Sequence, residues 1–200
     1  MADNTDVSNA ALGHIGAKRI DDFDDTSEPN PQTIYCRLYL EKTRDALIRS
    51  HLWRFAKKRI VLAATGGPVF EWTYQMELPA DFLRAISIYD GSTTRDGSTT
   101  ASWELEGNTL LIDSSSINLR YIRRVTDPDD WDALFYETME LTLARKLVIP
   151  LSQDLELKKD IDTDLAVLMR KVRAMDRAEG RKIGRDDLRT WNDARQTNIP

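Results

Sequence analysis

Hydrophobic residues recur along this chain with two different periods. Val7, Ala11 and Ile15 fall every four residues and are followed by Gly16, which predicts a short helix over Thr5–Ile15. Asn30-Pro31 supplies a cap residue followed by proline at the first helical position, where its missing N–H costs nothing. A second helix is expected from there to about Ser50, with Cys36, Tyr39, Thr43, Ala46, Leu47 and Ser50 as its inner face. At Trp53 the period drops to two. Phe55–Ala63 alternates basic and apolar residues with neither face purely apolar, the pattern of an edge or interface strand. Phe70, Trp72, Tyr74 and Met76 point one way and Glu71, Thr73, Gln75 and Glu77 the other, predicting a half-buried antiparallel strand that Leu78-Pro79 ends. Strands are also expected over Leu83–Tyr89, Trp103–Glu106, Thr109–Asp113 and Ile117–Arg124. Gly107-Asn108 joins the middle two as a hairpin, and Ile117, Leu119 and Tyr121 share one face of the last. Gly-Ser-Thr-Thr occurs twice in residues 90–102, which read as a polar loop.

The helical period then returns. Asp127-Pro-Asp-Asp130 is expected to open a third helix carrying Trp131, Leu134, Phe135, Met139, Leu143 and Leu147. A fourth is expected after Pro150, capped by Ser152, with Leu157, Ile161, Leu165, Leu168, Val172 and Met175 on one face. Acids near its start and Arg170, Lys171, Arg173 and Arg177 near its end suit the helix dipole. After Gly180 the periodicity dissolves among charges. The predicted class is α+β: a four-helix bundle of two N-terminal and two C-terminal helices (1–53 and 127–178), an inserted antiparallel β subdomain (54–126) and an extended C-terminal arm (179–200).

Composition adds few constraints. At 200 residues the chain can bury roughly 70% of its unfolded surface, so it needs neither disulfide nor metal staple. The one cysteine, Cys36, reads as a buried inert thiol. The start, Met-Ala-Asp-Asn-Thr-Asp, has no signal-peptide pattern, and no apolar run approaches a membrane span. The net charge of −5 argues against non-specific duplex binding through a basic surface, although it permits a local basic patch.

No catalytic constellation stands out. His14 and His51 have no metal-ligand partners at suitable spacing, and the acidic run Asp21–Asp25 lacks the ligand spacing of a calcium loop. Asp127, Asp129 and Asp130 read as helix-capping residues. Gly66-Gly67 precedes a strand and cannot aim a helix N-terminus at phosphate, and no serine sits in a nucleophile elbow. The expectation is a protein without catalytic residues, metal or cofactor. Lys57, Lys58, Arg59, Arg123 and Arg124 fall near Trp53 and Tyr121; they suit either a charged protein interface or a small nucleic-acid-binding domain with stacking aromatics. Lys57, Lys58, Arg59, Phe70, Trp72 and Tyr74 are the interface candidates on the β subdomain. Trp191 lies in the arm with nothing local to pack on, and leaving it in water forgoes roughly 2–3 kcal/mol. Trp191, with Ile183 and Leu188, is expected to dock on another chain; the alternative is an arm folded back on its own helices.

Four blocks, in order, resemble the phage head-to-tail adaptor, or gateway, proteins of the tail tubular protein A family. They are Ala11-Leu12-Gly13-His14-Ile15-Gly16, Arg44-Asp45-Ala46-Leu47 with Trp53-x-Phe55-Ala56, Leu78-Pro79-x-Asp81-Phe82-Leu83-Arg84, and Tyr121-Ile122 through Pro128. The resemblance spans roughly residues 8–178, and the loop at 90–102 and the last twenty residues match no family pattern. It implies a structural connector in the virion, at the capsid–tail junction, made in the host cytoplasm. It also implies a homo-oligomeric ring, expected to be twelve-fold, between the portal protein and the tail nozzle or tail-tube protein. Such a ring seals the joint and lines a channel through which DNA passes without specific binding, and it involves no membrane.

Overall fold

A computed structural model describes residues 3–27, 30–91 and 102–179. Over these described residues the chain is α+β, with four α-helices and two small antiparallel sheets. Helix α1 (Asn4–His14) begins in a capping box: Asp3 accepts from the Asp6 N–H at 2.8 Å and Asp6 accepts from the Asp3 N–H at 3.2 Å. It ends at Gly16, whose φ of 65° is open to glycine at no steric cost, with Ala17 N–H donating to the Leu12 carbonyl at 3.0 Å. Helix α2 (Pro31–Ser50) starts where expected, with Asn30 accepting from the Thr33 N–H at 2.8 Å.

The buried face of α2 is rotated from the expected one. Cys36, Thr43 and Leu47 are buried together with Leu40, Arg44 and Ile48, while Ala46 and Ser50 are exposed and Tyr39 is half-buried. Leu40 and Ile48 are larger than Ala46 and Ser50, so turning the helix toward them removes more apolar surface from water.

Strands β1 (Lys57–Ala63), β2 (Tyr74–Glu77), β3 (Phe82–Tyr89), β4 (Trp103–Glu106), β5 (Thr109–Ile112) and β6 (Ser116–Arg123) divide into sheets ordered β1-β6-β3 and β2-β5-β4. Ile117, Leu119 and Tyr121 of β6 are buried on one face, as their alternation predicts. They join Leu62, Ile88, Met76, Leu110 and Ile112 in a core drawn from both sheets. The expected strand over Phe70–Met76 is shortened at its start. Val69 and Trp72 exchange both backbone hydrogen bonds at 2.9 Å, which makes Phe70-Glu71 the tip of a tight turn. Glu71 takes φ 70° there and Phe70 is 87% exposed. Hairpin closure one turn early overrides the period-two pattern.

The expected third helix divides in two. Asp127 caps a single 3₁₀ turn (Pro128–Asp130), and Asp132 caps α3 (Ala133–Ser152) by accepting from the Leu134 N–H at 2.9 Å. Two Asx caps in series break the run, and Trp131 is buried between them. Helix α3 also runs through Pro150, contrary to expectation. In the last turn proline forfeits one bond, to the Lys146 carbonyl, and the helix stops at Gln153 in the left-handed region (φ 58°). Asp154, not Ser152, then caps α4 (Leu155–Glu179), accepting from the Glu156 and Leu157 N–H groups at 2.9 Å. Helix α3 is shared by the others: α1, α2 and α4 each pack along it. Its Phe135, Met139, Leu143 and Leu147 form a second core with Leu12, Leu40, Ile48, Ile161 and Val172, which Trp53, Ala56, Ile122 and Val125 extend toward the sheets.

Candidate interaction surfaces

The residues that carry the family resemblance fasten helices to sheet. Trp53 Nε1 donates to the Leu47 carbonyl at 3.1 Å, and its ring meets Phe135 edge-on, with centroids 5.0 Å apart. Phe55 and Trp131 also pack on Phe135, at 4.9 and 5.0 Å. Ala56 is fully buried, and its carbonyl accepts from the Arg123 N–H at 2.7 Å. Asp45 holds two arginines: Arg44 Nη2 lies 2.9 Å from Oδ1, and Arg124 Nε lies 2.7 Å from Oδ2. Arg84 Nη1 donates to the Arg49 carbonyl at 2.9 Å.

Asp81 is the fastener within the sheet. Its Oδ2 lies 2.9 Å from Lys58 Nζ, and its Oδ1 accepts from the Tyr121 hydroxyl at 2.8 Å. Burial opposes ionisation of Asp81, but the hydrogen bonds from Lys58 and Tyr121 outweigh it and hold the carboxyl below the usual carboxylate range. Hydrogen bonding to Asp81 likewise holds Lys58 protonated above the ordinary lysine range, and burial pushes the Tyr121 phenol up. The signs give a window. A depressed carboxyl contributes stability above its unfolded value and loses it as the pH falls through the lowered value. A raised lysine contributes below its unfolded value and loses it as the pH rises past the raised one. The thermal-midpoint gap between the native chain and Asp81→Asn is therefore expected to be widest on a neutral plateau and to close below about pH 4. A gap undiminished at pH 3 would contradict this role for Asp81.

These contacts redistribute the basic residues expected to act together. Lys58 is held by Asp81 and Arg124 by Asp45, and Arg123 Nη2 lies 3.7 Å from Asp130. Lys57 and Arg59 remain exposed on the edge strand β1. Across the β1–β6 ladder, Arg59 stands opposite Arg120, a residue that the sequence did not single out. The alternation of Ile117, Leu119 and Tyr121 put Arg120 on the other face of its strand, but nothing in the sequence paired that strand with β1. Of the aromatic candidates, Phe70 is exposed at the turn tip, and Trp72 and Tyr74 are half-buried behind it. Trp103 on β4 is paired in the same row as Tyr74, both opposite Ile112, and is 38% exposed. Ile183, Leu188 and Trp191 lie outside the described residues.

His14 Nε2 lies 3.6 Å from Glu140 Oε2, tying α1 to α3. Burial raises the Glu140 carboxyl, and the neighbouring His14 opposes that shift. His51 packs edge-on against Trp53, 5.0 Å between centroids. Burial pushes the Cys36 thiol up to about 11, consistent with an unreactive thiol. Among the described residues, no group of three histidine, cysteine or acidic side chains could hold a metal, and no helix is long and apolar enough to cross a membrane. No protein-family model and no curated protein matches the chain.

Proposed function

We propose that this chain is a structural head-to-tail connector of a tailed phage, a subunit of the ring that joins the portal to the tail nozzle or tail-tube protein. In this reading residues 1–53 and 127–178 form a four-helix bundle, residues 54–126 are a β subdomain inserted into it, and 179–200 are an arm that reaches a portal or neighbouring subunit through Ile183, Leu188 and Trp191. The observation that carries the reading is where the resemblance residues lie. Trp53, Ala56 and Asp45 tie helices to sheet, and Asp81 with Tyr121 fastens the sheet itself, as a subunit that must transmit load across a joint requires. The exposed Phe70 tip, with Trp72, Tyr74 and Trp103 behind it, supports a contact at the end of the β region, since aromatic anchors dominate protein interfaces. The alternative, a nucleic-acid-binding module using Lys57–Arg59 and Arg123–Arg124, has three of its five cations already beside carboxylates.

The test is to mix the chain with the portal protein of the same phage and follow size and shape by sedimentation and electron microscopy. A large annular complex is expected, even from a monomeric starting protein. A chain that stays small beside the portal yet binds oligonucleotides with steep salt dependence would sink the connector reading. Truncation after Ala178 is expected to leave the thermal midpoint unchanged and to weaken the portal complex. Unfolding of the shortened chain would instead make the last residues part of its own core.

A further inference from the structure

The outer face of the β1-β6-β3 sheet carries two cross-strand rows. Arg59, Arg120 and Ser87 form one, and Val61, Asn118 and Tyr89 form the next. Together they line an open groove of about 400 Å³. Three observations make it more than plain surface. First, two arginines stand directly opposite each other, an arrangement that costs stability unless an anion lies between them. Among the described residues, no carboxylate lies within ion-pair distance of either, although Lys58, Arg123 and Arg124 nearby all have one. Second, Arg120 Nε is shielded from solvent and finds no acceptor among the described residues, so none of them replaces the water it has lost. Third, Val61 is 64% and Tyr89 46% exposed, two apolar side chains flanking Asn118 in the row beside the cationic one.

We infer that this face is a docking groove for an extended, acidic segment of another protein, with an Asp or Glu on the Arg59–Arg120 row and an apolar residue two positions away on Val61 and Tyr89. The spacing follows from strand geometry. Side chains at i and i+2 of an extended peptide point the same way roughly 7 Å apart, and so do successive rows of the sheet. A carboxylate between the guanidinium groups relieves their repulsion and offers acceptors to their Nη groups. Asn118 and Ser87 present polar groups to the segment's backbone. The exposed Val61 and Tyr89 favour a peptide over a nucleic acid, whose phosphates would leave Val61 unused. The inference does not depend on the ring reading: peptide binding would stand if the chain formed no complex with a portal.

The experiment titrates the ¹⁵N-labelled full chain with a blocked heptapeptide carrying glutamate at its third and valine at its fifth position, with its glutamine twin, and with octathymidylate. The glutamate peptide is expected to shift the amides of Ser87, Tyr89, Asn118 and Arg120, and the glutamine twin to bind at least tenfold more weakly. Arg120→Met is expected to abolish the shifts. Arg59→Gln, at an exposed edge position, is expected to weaken binding severalfold with no fall in thermal midpoint, and it decides the matter if the Arg120 variant fails to fold. Equal binding of the two peptides, shifts that map elsewhere, or displacement of the glutamate peptide by octathymidylate at lower concentration would overturn the inference.

Discussion

Phe135→Ala is expected to lower the unfolding free energy by about 3–5 kcal/mol, the range for truncating a buried aromatic. Phe135 is fully buried and is the ring on which Trp53, Phe55 and Trp131 converge, each within 4.9–5.0 Å. Those three rings come from the α2–β1 connection and the turn before α3, so the cavity would open where helices meet sheet. Edge-to-face packing adds about 0.5–1.5 kcal/mol per aromatic pair beyond area burial, and three such pairs are lost together. For a chain of this length, 1 kcal/mol moves the thermal midpoint by about 2–4 °C, so a fall of roughly 6–20 °C is expected. Urea unfolding checks the free energy directly. A loss below about 1 kcal/mol would mean that the neighbouring rings collapse into the space, and that Phe135 is not the hub its contacts suggest.

Asp45→Ala is expected to be of similar size, about 3–5 kcal/mol, for an electrostatic reason. The Arg44 side chain is only 5% exposed, and its Nη2 and Nε reach Asp45 Oδ1 at 2.9 and 3.0 Å. Removing the carboxylate strands a guanidinium that cannot return to water without opening the core. The second partner, Arg124, is 42% exposed on its side chain, so Arg124→Ala is expected to lose no more than about 1 kcal/mol. Asp45 and Arg124 thus share one ion pair but should differ severalfold in its measured loss. Replacing Arg44 and Asp45 together by leucine is expected to recover most of the Asp45→Ala deficit, since an apolar pair leaves no buried charge. Equal losses for Asp45→Ala and Arg124→Ala would show that Arg44 finds solvent or another acceptor.

Both predictions concern residues that the sequence marked for other reasons. Phe135 stood out only as one apolar position on a helical face, and Asp45 only as part of Arg44-Asp45-Ala46-Leu47. Their roles come from contacts across long stretches of chain: Asp45 reaches Arg124 79 residues away, and Asp81 reaches Tyr121 across 40. The same distance hid Arg120. Its place on the outer face was legible from the alternation along its strand, but its neighbour Arg59 was not, because strand order is not written in either strand. Among the expected site residues, Lys58, Arg123 and Arg124 read as free cations because their carboxylates come from distant segments or from beyond a turn.

Local order, by contrast, was open to reading. The helix start at Asn30, the glycine stop at Gly16, the buried face of Ile117, Leu119 and Tyr121, and the α+β class all depend on interactions within a few residues, where backbone period and capping chemistry dominate. Errors arose where two local signals competed, as at Phe70-Glu71, Trp131 and Pro150. Tertiary packing alone decided which strands share a sheet, which carboxylate holds which arginine, and which face sets two guanidinium groups opposite each other. Those choices rest on closing loops of tens of residues around a common core, and the favourable terms exist only once distant side chains meet.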